Sequence, residues 1–201
     1  ASILIEYLLP GVLLQFASAF PDVKIELVSS REHVSMSRRE ADVAIRIADT
    51  VPEWLVGRKL ADIQFKIFSL RQGELSKSRY KIPQLAERRR WIAFEKGERE
   101  LKFDRWLDNA IPDTSVVLRV DNFSHALTMV RAGLGVALLP AFLEHQLPEL
   151  QALTPSIPEL ETPLWLVTHP EIRNAMRIQV LMRAFGPALA NAVLATMVSP
   201  T

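Results

Sequence analysis

Cysteine is absent from the 201 residues. That excludes a disulfide frame, a thiolate metal site and a cysteine nucleophile. An excess of charge of either sign is missing too: 24 basic residues stand against 23 acidic ones, a formal net charge of +1. A module that grips DNA by its phosphates carries a clear basic excess, so this chain is not expected to bind DNA by itself. No apolar run reaches the ~18 residues that a membrane span needs, and no membrane partner is expected. The opening stretch ASILIEYLLPGVLLQF has no basic n-region and holds Glu6 inside its apolar run, unlike a secretory signal. A cytoplasmic location fits these absences.

Catalytic groupings are missing as well. The four histidines, His33, His125, His145 and His169, show no metal-ligand spacing and no accompanying carboxylate cluster, so no metal is expected. They read as isolated surface histidines. Ser124 and His125 are adjacent, and neighbours on a helix diverge, so they do not form a nucleophile and base. No G-x-S-x-G elbow is present. The chain is therefore not expected to be an enzyme, nor to carry a cofactor.

Glycine is scarce at seven residues, which makes Gly133 and Gly135 in VRAGLGVALLP conspicuous. A phosphate-cradling turn runs strand, glycines, helix, so that amide N–H groups face the anion. Here the order is helix, glycines, strand, and the end of a helix presents carbonyls that repel phosphate. Gly133 reads instead as the residue after a helix, in the left-handed region. Gly135 allows a strand to approach its neighbour closely.

What the chain does have is apolar content, 49 % hydrophobic, enough for a real core. Helical spacing of apolar residues runs from 3 to 20, with Ser2 as an N-cap and a kink near Pro10 and Gly11. Its apolar set covers two faces, and such a helix needs two surfaces to bury it. DVKIELVS (22–29) alternates as a strand, and REHVSMSRREA (31–41) reads as a short polar helix. DVAIRIA (42–48) is a buried strand. LVGRKLADIQFKIFSL (55–70) reads as two strand pieces broken at Ala61-Asp62. Helices follow at IPQLAERR, ELKFDRWLDNA and, capped by Asp121 or Asn122, at FSHALTMV. WIAF, SVVLRV, VALL and PLWLVTH are strands. The helix over 171–185 turns Ile172, Met176, Val180, Leu181 and Phe185 inward, and Gly186-Pro187 ends or bends it. Alternating strands and helices predict an α/β fold with mainly parallel pairing, in which about 70–142 forms an inserted second lobe.

The arginine runs SRRE and ERRR read as solvated faces. Arg46 differs, because it lies within an apolar strand. Either it pairs with a nearby carboxylate, or it is a cation ready to hold an anionic ligand bidentately. Hydroxyl or amide groups at Ser2, at Ser29 and Ser30, and at Asn122 to Ser124 lie at expected strand-to-helix junctions, where helix N-termini favour negative charge.

The motifs YLLPGVLLQFASAFPDVKIELV, READVAIRIADTVPEWLVGRKLADIQFKIF, VDNFSHALTMVRAGLGVALLP and LWLVTHPEIRNAMRIQVLMRAF occur in an order that resembles the effector-binding domain of LysR-type transcriptional regulators, over about residues 3–186. The resemblance implies two Rossmann-like lobes joined by crossover strands, like type 2 periplasmic binding proteins. Lobe I would hold 1–69 and 143–201, and lobe II 70–142. It implies a small-molecule effector in the inter-lobe cleft, with Ser2, Ser30, Arg31, Arg46, Ile47, Asn122, Phe123 and Ser124 at matching positions. It further implies a homodimer through the first helix and the adjacent strand, with Leu9, Val12, Leu13, Phe16 and Phe20 at the interface, and a tetramer when full-length. DNA would be bound only through an N-terminal winged helix-turn-helix that this chain lacks. The alternative is a solute-binding protein of the same fold serving transport.

Overall fold

A computed structural model describes residues 2–29, 41–71, 80–95 and 102–196. The expected helix over 31–41, with Val34 and His33, lies outside the described residues except for Ala41, which is not helical. The chain divides into two compact units: unit 1 holds 1–63 and 162–201, and unit 2 holds 64–161.

Unit 1 begins with α1 (Ser2–Tyr7) and α2 (Leu9–Ala19). The break falls at Leu8, and Pro10 sits in the first turn of α2, where a missing N–H costs no helical bond. Pro21 follows the last bond, Phe20 N to the Phe16 carbonyl at 2.9 Å. Ser2 is the first helical residue of α1, inside the helix rather than its cap. Leu9, Val12 and Phe16 are buried in this unit's own core, and Leu13 and Phe20 are half-buried. The second apolar face is carried by Leu14, 70 % exposed.

The sheet of unit 1 has the order β1 (Val43–Ile47), β8 (Thr162–Thr168), β2 (Val56–Ile63), all antiparallel. β8 carries Leu164, Leu166 and Val167 at full burial. It enters between β1 and β2 only after the chain has passed through unit 2, and it runs against both. Residues 22–29 form no strand, a correction to the alternating pattern. No described strand pairs with them, and Ile25, Leu27 and Val28 stay exposed. Alternation supplies a face, but a strand also needs a ladder partner.

The last helical run joins α7 (Met176–Val180), a π-helical turn (Leu181–Phe185) and α8 (Gly186–Ala195). Gly186-Pro187 therefore does not end the helix. The π turn absorbs the irregularity, and Arg58 Nη2 donates to the Met182 carbonyl at 2.7 Å, taking up a carbonyl where helical bonding is disturbed. Met176 is 75 % exposed, while Ile178, Phe185, Leu189 and Val193 are buried; the inward stripe is offset from the expected one. By length and composition alone, Met176–Ala195 passes for a membrane span.

Unit 2 is built on a five-stranded sheet, β5-β4-β6-β3-β7. The strands are β3 (Phe65–Leu70), β4 (Trp91–Phe94), β5 (Val116–Val120), β6 (Val136–Pro140) and β7 (Leu150–Ala152). β4 runs parallel to β5 and β6, whereas β3 is antiparallel to β6 and β7. Mainly parallel pairing is thus corrected: four described ladders are antiparallel and two parallel. The break in 55–70 falls at Gln64, between β2 and β3, while Lys59/Ala61 marks a register shift within β2. Because β3 and β7 complete this sheet, 64–69 and 143–161 belong to unit 2, beyond the 70–142 expected of the second lobe.

Helices α3 (Ile82–Arg88), α4 (Lys102–Ala110), α5 (Phe123–Arg131) and α6 (Leu143–Gln146) complete the unit. Its core centres on Phe65, Phe68, Trp91 and Leu138, all fully buried. The indole N–H of Trp91 donates to the Leu85 carbonyl at 3.0 Å, so the largest core ring leaves no orphan donor.

Gly133 has φ 76°, as the reversed glycine order required. The amides of Gly133 and Leu134 donate to the carbonyls of Val130 and Met129 at 2.9 and 3.1 Å, a Schellman ending for α5. A Cβ on Gly135 would run into the Arg90 carbonyl oxygen, so the close approach is real.

Candidate functional site

The expected binding residues fall into two groups. Asn122, Phe123 and Ser124 lie in unit 2, at the start of α5 beyond the end of β5. Ser2, Arg46 and Ile47 lie in unit 1. Ser30 and Arg31 lie outside the described residues.

In unit 2, Asn122 adopts extended backbone and caps α5. Its Oδ1 accepts from the His125 amide at 2.8 Å, satisfying one N–H that the first helical turn leaves over. Phe123 is fixed by aromatic contacts, with ring centroids 5.5 Å from Phe65, 4.8 Å from Phe94 and 5.6 Å from Phe103. Phe65 and Phe103 are buried, while Phe94 and Phe123 are half-buried. Thr128 Oγ1 donates to the Ser124 carbonyl at 2.9 Å. A helix N-terminus held this firmly presents a positive partial charge beside two half-covered aromatic rings.

Asp121 and His125 add what the sequence reading missed. His125 Nδ1 stands 2.5 Å from Asp121 Oδ1, with the two side chains 56 % and 7 % exposed. Asn122 Nδ2 donates to the same Asp121 oxygen at 3.0 Å. Asp121 and His125 are four residues apart, the spacing that brings helical neighbours together. His169 is not an isolated surface residue either: its ring stacks on Trp54 at 5.7 Å, and its Nε2 is buried. His145 is exposed, and His33 is outside the described residues.

In unit 1, Arg46 lies on β1 opposite Trp165 of β8. It is half-buried and, among the described residues, has no ion pair. Burial pushes its guanidinium below the ordinary arginine range. A partly dehydrated cation with no counter-charge among the described residues gains from an arriving anion. Ile47 ends the same strand, half-buried. Ser2 opens α1, half-buried. Among the described residues no cluster of three or more metal-ligating side chains occurs.

A family model described as LysR substrate binding domain matches residues 1–190. Solved structures agree in fold, which is of the type 2 periplasmic-binding-protein kind. The regulatory domain of CrgA, a LysR-type transcriptional regulator from Neisseria meningitidis, is 17 % identical at TM-score 0.73, covering 92 % of this chain and 94 % of that one. The effector domain of AmpR of Pseudomonas aeruginosa is 16 % identical at TM-score 0.72, covering 97 % and 94 %. Full-length BenM E226K mutant is 18 % identical at TM-score 0.68 over 90 % of this chain, which spans only 63 % of that protein. No curated protein sequence matches.

Proposed function

As a member of the LysR substrate binding domain family, this chain is, we propose, the effector-sensing part of a transcription regulator, and its effector is a small organic anion. The observation that carries the anionic character is Arg46, half-buried in β1 with no ion pair among the described residues. The start of α5 supports it, since the N-terminal end of a helix favours negative charge. A related fold holds such a molecule: the BenM effector binding domain is solved with its effector benzoate.

In this reading Ser2, Ser30, Arg31, Arg46 and Ile47, together with Asn122, Phe123 and Ser124, are the residues that contact the effector. The carboxylate meets guanidinium and helix N–H groups, and the half-buried rings of Phe94 and Phe123 suit an apolar body. The ligand favours one of two conformations, and its differential affinity moves the equilibrium. Catalysis is not part of the role.

Association follows the same reading. The outer face of α2, with Leu14 and the small residues around it, is uncharged, and it packs on a second copy. Leu9, Val12 and Phe16 support that face from within unit 1 rather than touching the partner. Tetramer formation, DNA binding through a separate helix-turn-helix domain, and a cytoplasmic location belong to the whole regulator.

Calorimetric titration of small carboxylates, benzoate first, into the wild-type chain and Arg46→Ala tests the site. Binding to the wild type that weakens about tenfold or more in the variant supports it, a loss in keeping with a charge-assisted bidentate contact. Equal affinity removes Arg46 from the site.

A further inference from the structure

Segments distant in sequence bring arginines to one end of the unit 2 sheet. Arg71 follows β3, Arg90 precedes β4, and Arg131 ends α5, which leads into β6. β6 lies between β3 and β4, so at a strand spacing of ~4.8 Å the backbones of Arg71 and Arg90 stand about 10 Å apart. Direct contacts tie these segments together. The Val136 amide donates to the Arg90 carbonyl, and the Arg71 amide to the Glu149 carbonyl, both at 2.8 Å. Arg131 Nε is 3.0 Å from Glu149 Oε1. Arg89 adds a guanidinium 5.8 Å over the Tyr80 ring. β4 and β5 are parallel, so this end lies opposite the one that carries Asn122.

Ordinary structural roles account for only part of this charge. Arg131 answers both Glu149 and the negative end of α5. Arg71 Nη2 donates to the Leu150 carbonyl at 3.2 Å. Arg89 and Arg90 are exposed, and neither has an ion pair among the described residues. Between the arginines, Ala132 and Gly133 leave a bare turn of small residues exposed. Of the neighbouring carboxylates among the described residues, Glu149 is taken by Arg131 and Glu87 is exposed.

We propose that this end of unit 2 is a docking surface for an acid-rich segment of a partner protein. The exposed guanidinium groups of Arg89 and Arg90, without an ion pair among the described residues, can take carboxylates bidentately, so an acid-rich segment supplies the complementary charge. The small residues of the turn let such a segment approach closely. A protein partner is favoured over nucleic acid because the cations form a compact cluster on a chain of net charge +1, whereas a phosphate backbone is held by an extended basic stripe. The surface is independent of the effector site.

Fluorescence anisotropy tests it. The whole chain is titrated against a labelled peptide of about ten glutamates and, separately, a labelled duplex of about 20 base pairs, in about 150 mM salt. Saturable peptide binding is expected, weakened about tenfold or more in Arg89→Glu/Arg90→Glu. Arg173→Glu/Arg183→Glu, reversing two exposed arginines of unit 1, is expected to leave it within about twofold. If the first variant does not fold by circular dichroism, Arg90→Gln serves in its place, with a smaller loss in the same direction expected. No saturable peptide binding, equal loss in the unit 1 control, or tighter binding of the duplex than of the peptide overturns the proposal.

Discussion

His125 Nδ1 lies 2.5 Å from Asp121 Oδ1, joining the residue before the α5 cap to the first turn of the helix. Asp121 is nearly buried and is also held by Asn122, so the three side chains form one polar network. Groups that share a network do not add independently. His125→Gln is expected to cost about 1–2 kcal/mol, the penalty for weakening the partner of a mostly buried polar group. The double variant Asp121→Asn/His125→Gln is expected to cost about 0.5–1 kcal/mol less than the sum of its parts. Urea denaturation of the four proteins measures this coupling, and strict additivity would show that the pair contributes nothing as a pair.

Asn122 carries a separate, local role. Its side chain accepts from the His125 amide at 2.8 Å, so Asn122→Ala is expected to cost about 1 kcal/mol of stability. Asn122→Ser, with a shorter cap of the same kind, is expected to recover most of it. Thermal melts of the three proteins decide between a cap and a bystander.

The two glycines after α5 are expected to respond differently to a methyl group. Gly133→Ala forces a φ of 76° on a residue with a side chain, costing about 1 kcal/mol. Gly135→Ala places its Cβ against the Arg90 carbonyl, where two backbones must separate, so the loss is larger, at about 2 kcal/mol or more. Thermal denaturation ranks them, and the reverse order contradicts the reading of Gly135.

Val12 and Leu14 of α2 are expected to separate folding from the proposed association. Val12 is buried and Leu14 is 70 % exposed. Val12→Asp is expected to unfold unit 1, because a carboxylate enters an apolar core. Leu14→Asp is expected to keep the fold and to shift the chain from dimer to monomer in sedimentation velocity. A Leu14→Asp chain that sediments like the wild type removes α2 from the interface.

Much of this was legible in the sequence wherever local chemistry decides. A cap at Asp121 or Asn122 and the positive φ of Gly133 followed from residue type and order, and β1, β4, β5 and β6 followed from short apolar runs. Pairing partners were not legible. β8 joins the sheet of unit 1 after a long excursion, so its antiparallel ladders leave no local trace. Residues 22–29 alternate like a strand, yet no described strand lies alongside to form a ladder. Nor could the pattern foresee the π turn, which lets the helix run through Gly186-Pro187 with Arg58 on the Met182 carbonyl. The Asp121–His125 spacing of four residues is legible in the sequence, whereas the contact depends on Asp121 lying just before the Asn122 cap. Arg46 is legible in the sequence as a cation within an apolar strand, and it lies half-buried in β1.

The central claim is that a small organic anion is sensed at Arg46 and at the start of α5. Backbone amide NMR of the isotope-labelled chain, titrated with benzoate and a panel of other small carboxylates, tests it most directly. The account predicts saturable shifts at Arg46, Ile47, Phe123 and Ser124 with at least one carboxylate, lost in Arg46→Ala while the remaining spectrum is kept. Saturable shifts confined to other residues, or a panel that leaves these four amides unmoved, would contradict it.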